Sequence, residues 1–177
     1  MKLLKRSGAV MVAVASITAS ASVWAQAYPT KPVRLVNGSS PGGSVDVVAR
    51  VLANGLSPVF GQQVIVENRP GATSNISADA VARSAPDGYT LFAATSTHTL
   101  NASLYRGKLT YDLIKDFAPV TQVVTAGHVL VVNPKLPVKT VAELIKAAKA
   151  RPGDINYSSA GVGTSAFLAA ELFKAQA

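Results

Sequence analysis

The sequence contains no cysteine, only two histidines and few aromatic residues. The absence of cysteine excludes disulfide bonds, thiolate metal sites and a cysteine nucleophile. His98 and His128 lie far apart in the sequence and form no pair at helical spacing, so a zinc site is not expected. We therefore predict no metal and no cofactor, and a fold that is held together by its hydrophobic core.

Long apolar runs are also absent, apart from one near the N-terminus. Three basic residues precede the apolar run 9–21, and the small residues of "SVWAQA" follow it. The run is shorter than the roughly 20 residues that a membrane-spanning helix needs, so the pattern is typical of a secretory signal peptide. We predict a signal peptide over residues 1–25, with Ala27 as a second cleavage position and an anchor helix as the alternative.

The chain carries only a modest excess of positive charge. The chain has 17 basic and 9 acidic residues, a net charge of +8. Lys2, Lys5 and Arg6 belong to the predicted signal peptide, so 14 basic residues remain against 9 acidic ones, or +5. The basic residues are spread along the chain and are not interleaved with aromatic ones, so no nucleic-acid surface is expected. A positive net charge favours anionic ligands through its long-range field.

The sequence does show an alternation of strand and helix patterns. Helical periodicity is found over 45–56, and "TVAELIKAAKARPGD" has a Thr140–Glu143 capping box and is stopped by Pro152-Gly153. Two further helices are predicted in "ISADAVARSAPDG", with Ser77 as its cap, and in "GTSAFLAAELFKAQA". The strand-like runs are "PVRLVN", "QQVIVENRPG", "YTLFAAT", "VTQVVTAGHVLVVNP" and "INYSSAG". Strands separated by helices predict an α/β fold with a mostly parallel sheet that is covered on both faces.

Four loops are expected at the carboxyl ends of these strands, where α/β sheets bind ligands. The loops "NGSSPGG", "RPGATSN", "TSTH" and "SSAGVGTS" are rich in glycine, serine and threonine and nearly uncharged. Small residues let the backbone approach a ligand, and a helix N-terminus offers free N–H groups to an anion. Gly42 and Gly43 in the first loop either make a plain turn or help backbone amides to bind an anion.

Two sequence features allow an enzymatic interpretation. "GVGTSA", residues 161–166, matches the dinucleotide pattern G-x-G-x-x-A, but the preceding "NYSSA" is too polar for a central Rossmann strand. An exported serine-type hydrolase could use Ser96 and His98 with Asp46 or Asp87, although no serine lies in a G-x-S-x-G motif. Asp46 is alternatively an acid favoured by the helix dipole, and His98 a loop donor or a partly buried polar residue.

A set of motifs in fixed order resembles one known family. From about Tyr28 onward the chain contains "YPTKPVRLV", "PGGSVDVVARVLA", "GQQVIVENRPGA", "APDGYTLF", "LTYDLIKDFAPV" and "VLVVNPKLPVKTVAELIKAAKARPGDINYSSAGVGTSAFLAAELFK". This series resembles the extracytoplasmic solute receptors of tripartite tricarboxylate transporters, or Bug-type receptors. The resemblance implies a periplasmic binding protein, not an enzyme, with two α/β lobes. It also implies a small carboxylate or related metabolite held between the lobes and delivered to a membrane permease.

The resemblance implies domain boundaries as well. It places a first lobe over 26–122 and the start of a second lobe over 123–177, which is incomplete because family members are nearly twice as long. Apolar residues of the last helix, such as Leu168 and Leu172, then lack their usual cover. We therefore expect the chain alone to be poorly stable and to bind weakly, and a non-binding remnant is the further alternative.

The resemblance also implies a set of ligand-binding residues, all of them in the four small-residue loops or the helix starts that follow. In the first lobe they are Ser39, Gly42, Gly43, Asp46, Thr73, Ser74, Ser96, Thr97 and His98, and in the second Gly161, Gly163, Thr164 and Ser165. The chain departs from the family pattern at Asn37–Ser40, where an aromatic-proline approach is usual, and at Thr73–Asn75, where more glycine is usual.

Overall fold

Three strands and five α-helices lie within residues 28–177, the part of the chain that the computed structural model describes. The elements are β1 (Val33–Asn37), α1 (Ser44–Phe60), β2 (Val64–Asn68), α2 (Asn75–Ala82), β3 (Thr90–Phe92), α3 (Ser96–Leu104), α4 (Val141–Ala150) and α5 (Ser165–Gln176). A 3-10 turn, Ala72–Ser74, directly precedes α2. The predicted signal peptide lies outside the described residues. No helix within them is long and apolar enough to cross a membrane.

The three strands form a parallel sheet in the order β2-β1-β3. Leu35 of β1 lies opposite Val66 of β2 and Leu91 of β3, so these side chains share one face. Ala49 and Ala53 of α1 are buried in the same apolar cluster. The connections β1–β2 and β2–β3 cross the sheet in opposite directions, and right-handed crossovers therefore place α1 and α2 on opposite faces.

The first half of the predicted element pattern is confirmed. Each of the first three strand-like runs contains a strand, although each strand is shorter than its run. Helix α1 continues four residues past the predicted end and stops at Gly61, which has a φ of 63°. The capping box of α4 is present, since Glu143 N donates to Thr140 Oγ1 and Thr140 N donates to Glu143 Oε2, both at 3.2 Å.

The prediction that Ser77 caps α2 is wrong. The helix begins at Asn75, with Ser74 at the N-cap position, because the 3-10 turn leads straight into it. Ser77 lies inside the helix, fully buried, and its hydroxyl donates to the Ser74 carbonyl at 2.6 Å. Ser77 therefore ties the helix back to the turn in front of it.

Two predicted strands, over 120–134 and 155–161, are also wrong, since neither segment belongs to a strand in the described structure. The first has the composition of a strand that is buried on both faces, but Val129 and Val131 are 82% and 80% exposed. Apolar composition alone does not make a strand, because the backbone needs a neighbouring strand to hydrogen-bond. The lobe boundary near residue 122 stays a prediction.

Candidate functional site

The candidate site is built on the carboxyl edge of the sheet. Strands β1 and β2 each end in asparagine, Asn37 and Asn68, and the chain leaves all three strands at this edge. The order β2-β1-β3 places the topological switch point between β1 and β3, where open α/β sheets form a ligand crevice. The loop after β1 and the start of α3 therefore flank the crevice.

Asp46 organises the loop after β1. Its carboxylate accepts hydrogen bonds from Arg50 Nε (2.9 Å), the Gly42 amide (2.8 Å) and Asn68 Nδ2 (2.9 Å). These donors, the Arg50 guanidinium first, lower the pKa of Asp46 from 3.8 to about 2. Because Asp46 is only 1% exposed and its partners lie on three segments, it fixes the loop against α1 and β2.

The backbone amides of Gly42 and Gly43 donate hydrogen bonds within the loop itself. The Gly42 amide donates to Asp46, and the Gly43 amide donates to the Ser40 carbonyl at 3.0 Å. Gly42 has a φ of 81°, which favours glycine, and Gly43 occupies the N-cap position of α1, where it has no side chain to cap the helix. The amides of the first turn that lack an intrahelical acceptor are therefore those of Ser44, Val45 and Asp46, since Val47 N makes the first bond of the helix, to the Gly43 carbonyl.

Asn37 and Asn68 join the loop to the strands, and the sequence reasoning missed both. Asn37 Oδ1 accepts from the Ser39 amide (3.0 Å), the Ser39 hydroxyl (2.8 Å) and Asn68 Nδ2 (3.2 Å). Asn37 is fully buried, and its Nδ2 has no hydrogen-bond partner among the described residues. An asparagine directly after an apolar strand run was the signal that could have pointed to these residues.

The turn after β2 has an unusual backbone. Ala72, Thr73 and Ser74 have φ values of 45°, 54° and 66°, three successive left-handed conformations without glycine. The Ser74 hydroxyl donates to the Gly38 carbonyl at 3.1 Å, so this turn packs onto the end of β1. Glycine adopts such φ values without strain, so these three residues hold a backbone that their side chains disfavour.

Helix α3 buries polar side chains. His98 is 1% exposed, its Nδ1 accepts from the Thr95 amide at 3.0 Å, and its ring meets the Phe92 ring edge-on at 4.8 Å. Since Nδ1 accepts, we assign the ring proton to Nε2, which has no hydrogen-bond partner among the described residues. Burial holds the pKa of His98 below its ordinary value. Ser96 and Thr97 lie in the first turn of α3, at the crevice.

The loop before α5 is held in part by hydrogen bonds within the loop and to the start of α5. Thr164 Oγ1 donates to the Gly161 carbonyl at 2.7 Å and accepts from the Phe167 amide at 3.3 Å, so it caps α5, which begins at Ser165. Gly161 and Gly163 have φ values of 113° and 87°. Gly163 is buried beside the turn after β2 and the middle of α3. Of the predicted residues of this loop, the structure therefore brings Gly163 close to Thr73.

The residues proposed for a hydrolase do not form a triad. No hydrogen bond in the described part of the chain joins His98 to Ser96, and the Asp46 carboxylate is engaged by the donors above. Asp87 precedes β3 at the opposite edge of the sheet, where it pairs with Lys31 at 3.2 Å.

The segment before "GVGTSA" is not a strand, so the dinucleotide pattern lacks the strand that should precede it. Within residues 28–177 no cluster of metal-ligating side chains is found.

The fold is similar to that of periplasmic binding proteins, of whose chains it matches about half. The R. palustris protein Rpa4515, whose structure was solved with adipate, superposes with a TM-score of 0.77 at 38% identity. The match covers 83% of this chain and 49% of Rpa4515. MatC from Rhodopseudomonas palustris, solved with bound malate, has a TM-score of 0.67 at 27% identity, and the match covers 83% of this chain and 51% of MatC.

Sequence comparison gives the family. A family model described as "Tripartite tricarboxylate transporter family receptor" matches residues 48–177, and the chain belongs to this family. It is 41% identical to protein BugT of Bordetella pertussis over 166 residues, which is 93% of this chain and 50% of BugT. The chain thus spans about half the length of the relatives that it matches.

Proposed function

We propose that this chain is a periplasmic solute-binding receptor, or part of one, that captures a small carboxylate for a tripartite tricarboxylate-type transporter. Receptors of this family are periplasmic, and the described part of the chain has no membrane-spanning helix. Delivery requires a membrane permease as the partner. The relatives are solute-binding receptors, and the proposed activity is therefore binding without turnover.

The N-terminus of α1 is the observation that carries the proposal. Gly43 leaves this terminus without a side-chain cap, whereas Thr140 and Thr164 cap α4 and α5 through their hydroxyls. The first amides of the 17-residue helix α1 therefore remain for an external acceptor, and the helix dipole favours an anion there. The exposed hydroxyls of Ser40 and Ser44 flank the same turn.

Two structural relatives support a dicarboxylate as the ligand class. Rpa4515 was solved with adipate and MatC with malate, and both ligands carry two carboxylates. One carboxylate would lie on the first turn of α1. The polar side chains at Asn37–Ser40 and Thr73–Asn75 would line the remaining space by direct or water-mediated contacts.

A proline scan of helix N-termini tests the proposal. Ser44→Pro removes one amide donor from the first turn of α1, and proline is well tolerated at the first helical position. Gly43 is already extended, with φ −70° and ψ 162°, so its backbone suits a following proline. We expect this variant to bind adipate and malate about tenfold more weakly, since a hydrogen bond to a charged group contributes roughly 1.5–3 kcal/mol.

Two matched variants separate the amide from other effects. Val141→Pro makes the same change at the first position of α4, after the extended Thr140, and should leave binding unchanged. Ser44→Ala keeps the amide and removes only the hydroxyl. Affinities come from calorimetric titration, and from ligand-dependent thermal midpoints where binding is weak. The proposal fails if millimolar adipate and malate leave the melting temperature of the wild-type protein unchanged.

A further inference from the structure

Two loops that carry predicted ligand-binding residues meet at one buried side chain. The turn after β2 contains Thr73, and the loop before α5 contains Gly163. Thr73 Oγ1 lies 3.4 Å from the Val162 carbonyl, a long hydrogen bond on the exposed side of this contact. Behind it lies Asn101 of α3, which is 0% exposed and belongs to none of the predicted loops.

Asn101 uses both of its amide hydrogens on the turn after β2. Its Nδ2 donates to the Thr73 carbonyl at 2.9 Å and to Asn75 Oδ1 at 3.2 Å. Asn75 Oδ1 also accepts from the Tyr111 hydroxyl at 2.7 Å, so the acceptor is itself held in place. These bonds constrain Thr73, which has a φ of 54°, a backbone conformation that threonine rarely adopts. Asn101 thus holds a strained turn from inside the protein.

The other side of Asn101 faces the loop before α5. A Cβ added at Gly163 would lie 3.0 Å from Asn101 Oδ1 and 3.3 Å from Thr73 Cγ2, so the Gly163 backbone packs against both side chains. Asn101 Oδ1 has no hydrogen-bond partner among the described residues. A buried amide oxygen without a hydrogen bond is costly, and an apolar residue of similar size would avoid this cost. Asparagine at this position therefore needs an explanation other than packing.

We propose that Asn101 is a positioning residue that fixes the turn after β2 relative to the loop before α5, and so sets the spacing of the solute-contacting groups on the two loops. The effect on solute affinity rests on the proposed function above. The effect on loop geometry is independent of the proposed function, because Asn101 contacts both loops in the protein as described.

Distance measurements between α3 and α5 test the geometric part. The chain has no cysteine, so Ser103→Cys and Ala169→Cys, both at exposed positions of contacting helices, add the only two thiols for spin labels. Asn101→Asp keeps the side-chain shape but replaces both N–H donors with an acceptor. Asn101→Leu keeps the branching of the side chain, is somewhat larger, and removes all polar atoms. We expect both changes to replace a narrow distance distribution with a broad one, while Asn54→Asp at an exposed position of α1 leaves it narrow.

Adipate affinity provides the second readout, measured at a temperature where circular dichroism shows each variant to be folded. Both Asn101 variants should bind adipate about tenfold more weakly than wild type, a change of about 1.4 kcal/mol. A narrow distribution and wild-type affinity in Asn101→Leu would show that Asn101 only fills space, and would overturn the proposal. If the Asn101 variants do not fold, Gly163→Ala tests the contact from the loop before α5. An unchanged label distance in Gly163→Ala would then overturn the proposal about Asn101.

The two proposals fail in different ways. If wild type binds neither adipate nor malate, the proposed function is lost, yet the label distances still decide whether Asn101 positions the loops. If wild type binds and the Asn101 variants keep both distance and affinity, only the inference about Asn101 is lost.

Discussion

Gly38 and Ser74 approach each other so closely that a Cβ added to Gly38 would lie 2.3 Å from Ser74 Cβ. The contact joins the end of β1 to the turn after β2, and the Ser74 hydroxyl seals it by donating to the Gly38 carbonyl. Glycine at position 38 therefore determines how near two of the site's loops can lie. The sequence reasoning assigned the loop glycines Gly42 and Gly43 to the site but not this one.

We expect Gly38→Ala to destabilise the protein by about 1–3 kcal/mol, the usual cost of forcing a methyl group into a packed position. The methyl would also meet Ser77 Oγ at 2.6 Å, and rotation of the serine hydroxyls does not move the opposing Ser74 Cβ. Gly55→Ala is the matched control. A Cβ at Gly55 meets nothing within 4 Å, and alanine inside a helix is favoured by roughly 1 kcal/mol over glycine. Urea unfolding should thus show shifts of opposite sign.

A second variant tests whether the clash is the cause. Adding Ser74→Gly to Gly38→Ala removes the opposing Cβ, and it also suits the Ser74 φ of 66°. The double variant should recover part of the lost stability. If Gly38→Ala is as stable as wild type, the loops do not approach as described.

The left-handed turn gives the second prediction. Ala72 is exposed and has a φ of 45°, where an alanine is strained by roughly 1–2 kcal/mol and a glycine is not. Ala72→Gly should therefore stabilise the protein by about 0.5–1 kcal/mol after the entropy cost of glycine. Ala102→Gly, at an exposed position of α3, should instead cost about 1 kcal/mol. Equal losses in both variants, measured by urea unfolding, would contradict the assigned backbone.

These cases show which parts of the molecule the sequence could predict. The first three strands and α1 follow from apolar runs and periodicity, because their buried faces are apolar. Helix α3 gave no clean pattern, because the residues that it buries are His98 and Asn101. The turn at Ala72–Ser74 had no recognisable sequence pattern either, since nothing in "ATS" indicates positive φ values. Both features are held by contacts between segments that are distant in sequence.

The same reasoning explains the errors and the limits at the site. The run 120–134 was expected to be a strand because it is apolar, and composition cannot show whether a neighbouring strand is present. The first three loops do follow strands at the carboxyl edge, as expected, whereas the loop before α5 does not follow a strand. The sequence could not show that Gly42 donates to Asp46 and Ser39 to Asn37 within the loop. Nor could it show that Asn68 joins these groups by donating to Asn37, Ser39 and Asp46.

His98 should make stability depend on pH. Its Nδ1 accepts a hydrogen bond from the Thr95 amide, and burial lowers its pKa from the ordinary 6.5, so the folded protein binds this proton less readily than the unfolded chain. The contribution of neutral His98 to the free energy of unfolding is complete above pH 6.5. It is lost as the pH falls below that value toward the pKa of His98 in the folded protein. Urea unfolding between pH 7.5 and 5 measures the slope.

Two variants assign this slope to His98. His98→Gln should be less stable than wild type at pH 7.5 but should lose the dependence on pH in this range. His128→Gln, at an exposed position, is the matched control for replacing a histidine with glutamine. A slope that persists in His98→Gln would mean that another group titrates.

Asp46 gives the last prediction, at lower pH. Its pKa is lowered from 3.8 to about 2, mainly by the hydrogen bond from Arg50, so the folded protein retains the carboxylate where the unfolded chain is protonated. Its contribution to stability is present above pH 3.8 and is lost as the pH falls toward 2. Asp46→Asn should be less stable than wild type at pH 7, because an uncharged amide with one acceptor oxygen cannot keep the bonds from Arg50, Gly42 and Asn68 together.

The difference between wild type and Asp46→Asn should therefore shrink as the pH falls below 3.8. Exposed Asp154→Asn serves as the control and should unfold like wild type at pH 7. Hydrogen exchange adds a local readout, since the Gly42 amide should lose protection in Asp46→Asn, whereas the Gly43 amide, which donates to Ser40, should lose less. Unchanged Gly42 exchange would show that Asp46 does not hold the loop, and the first turn of α1 would then need another support.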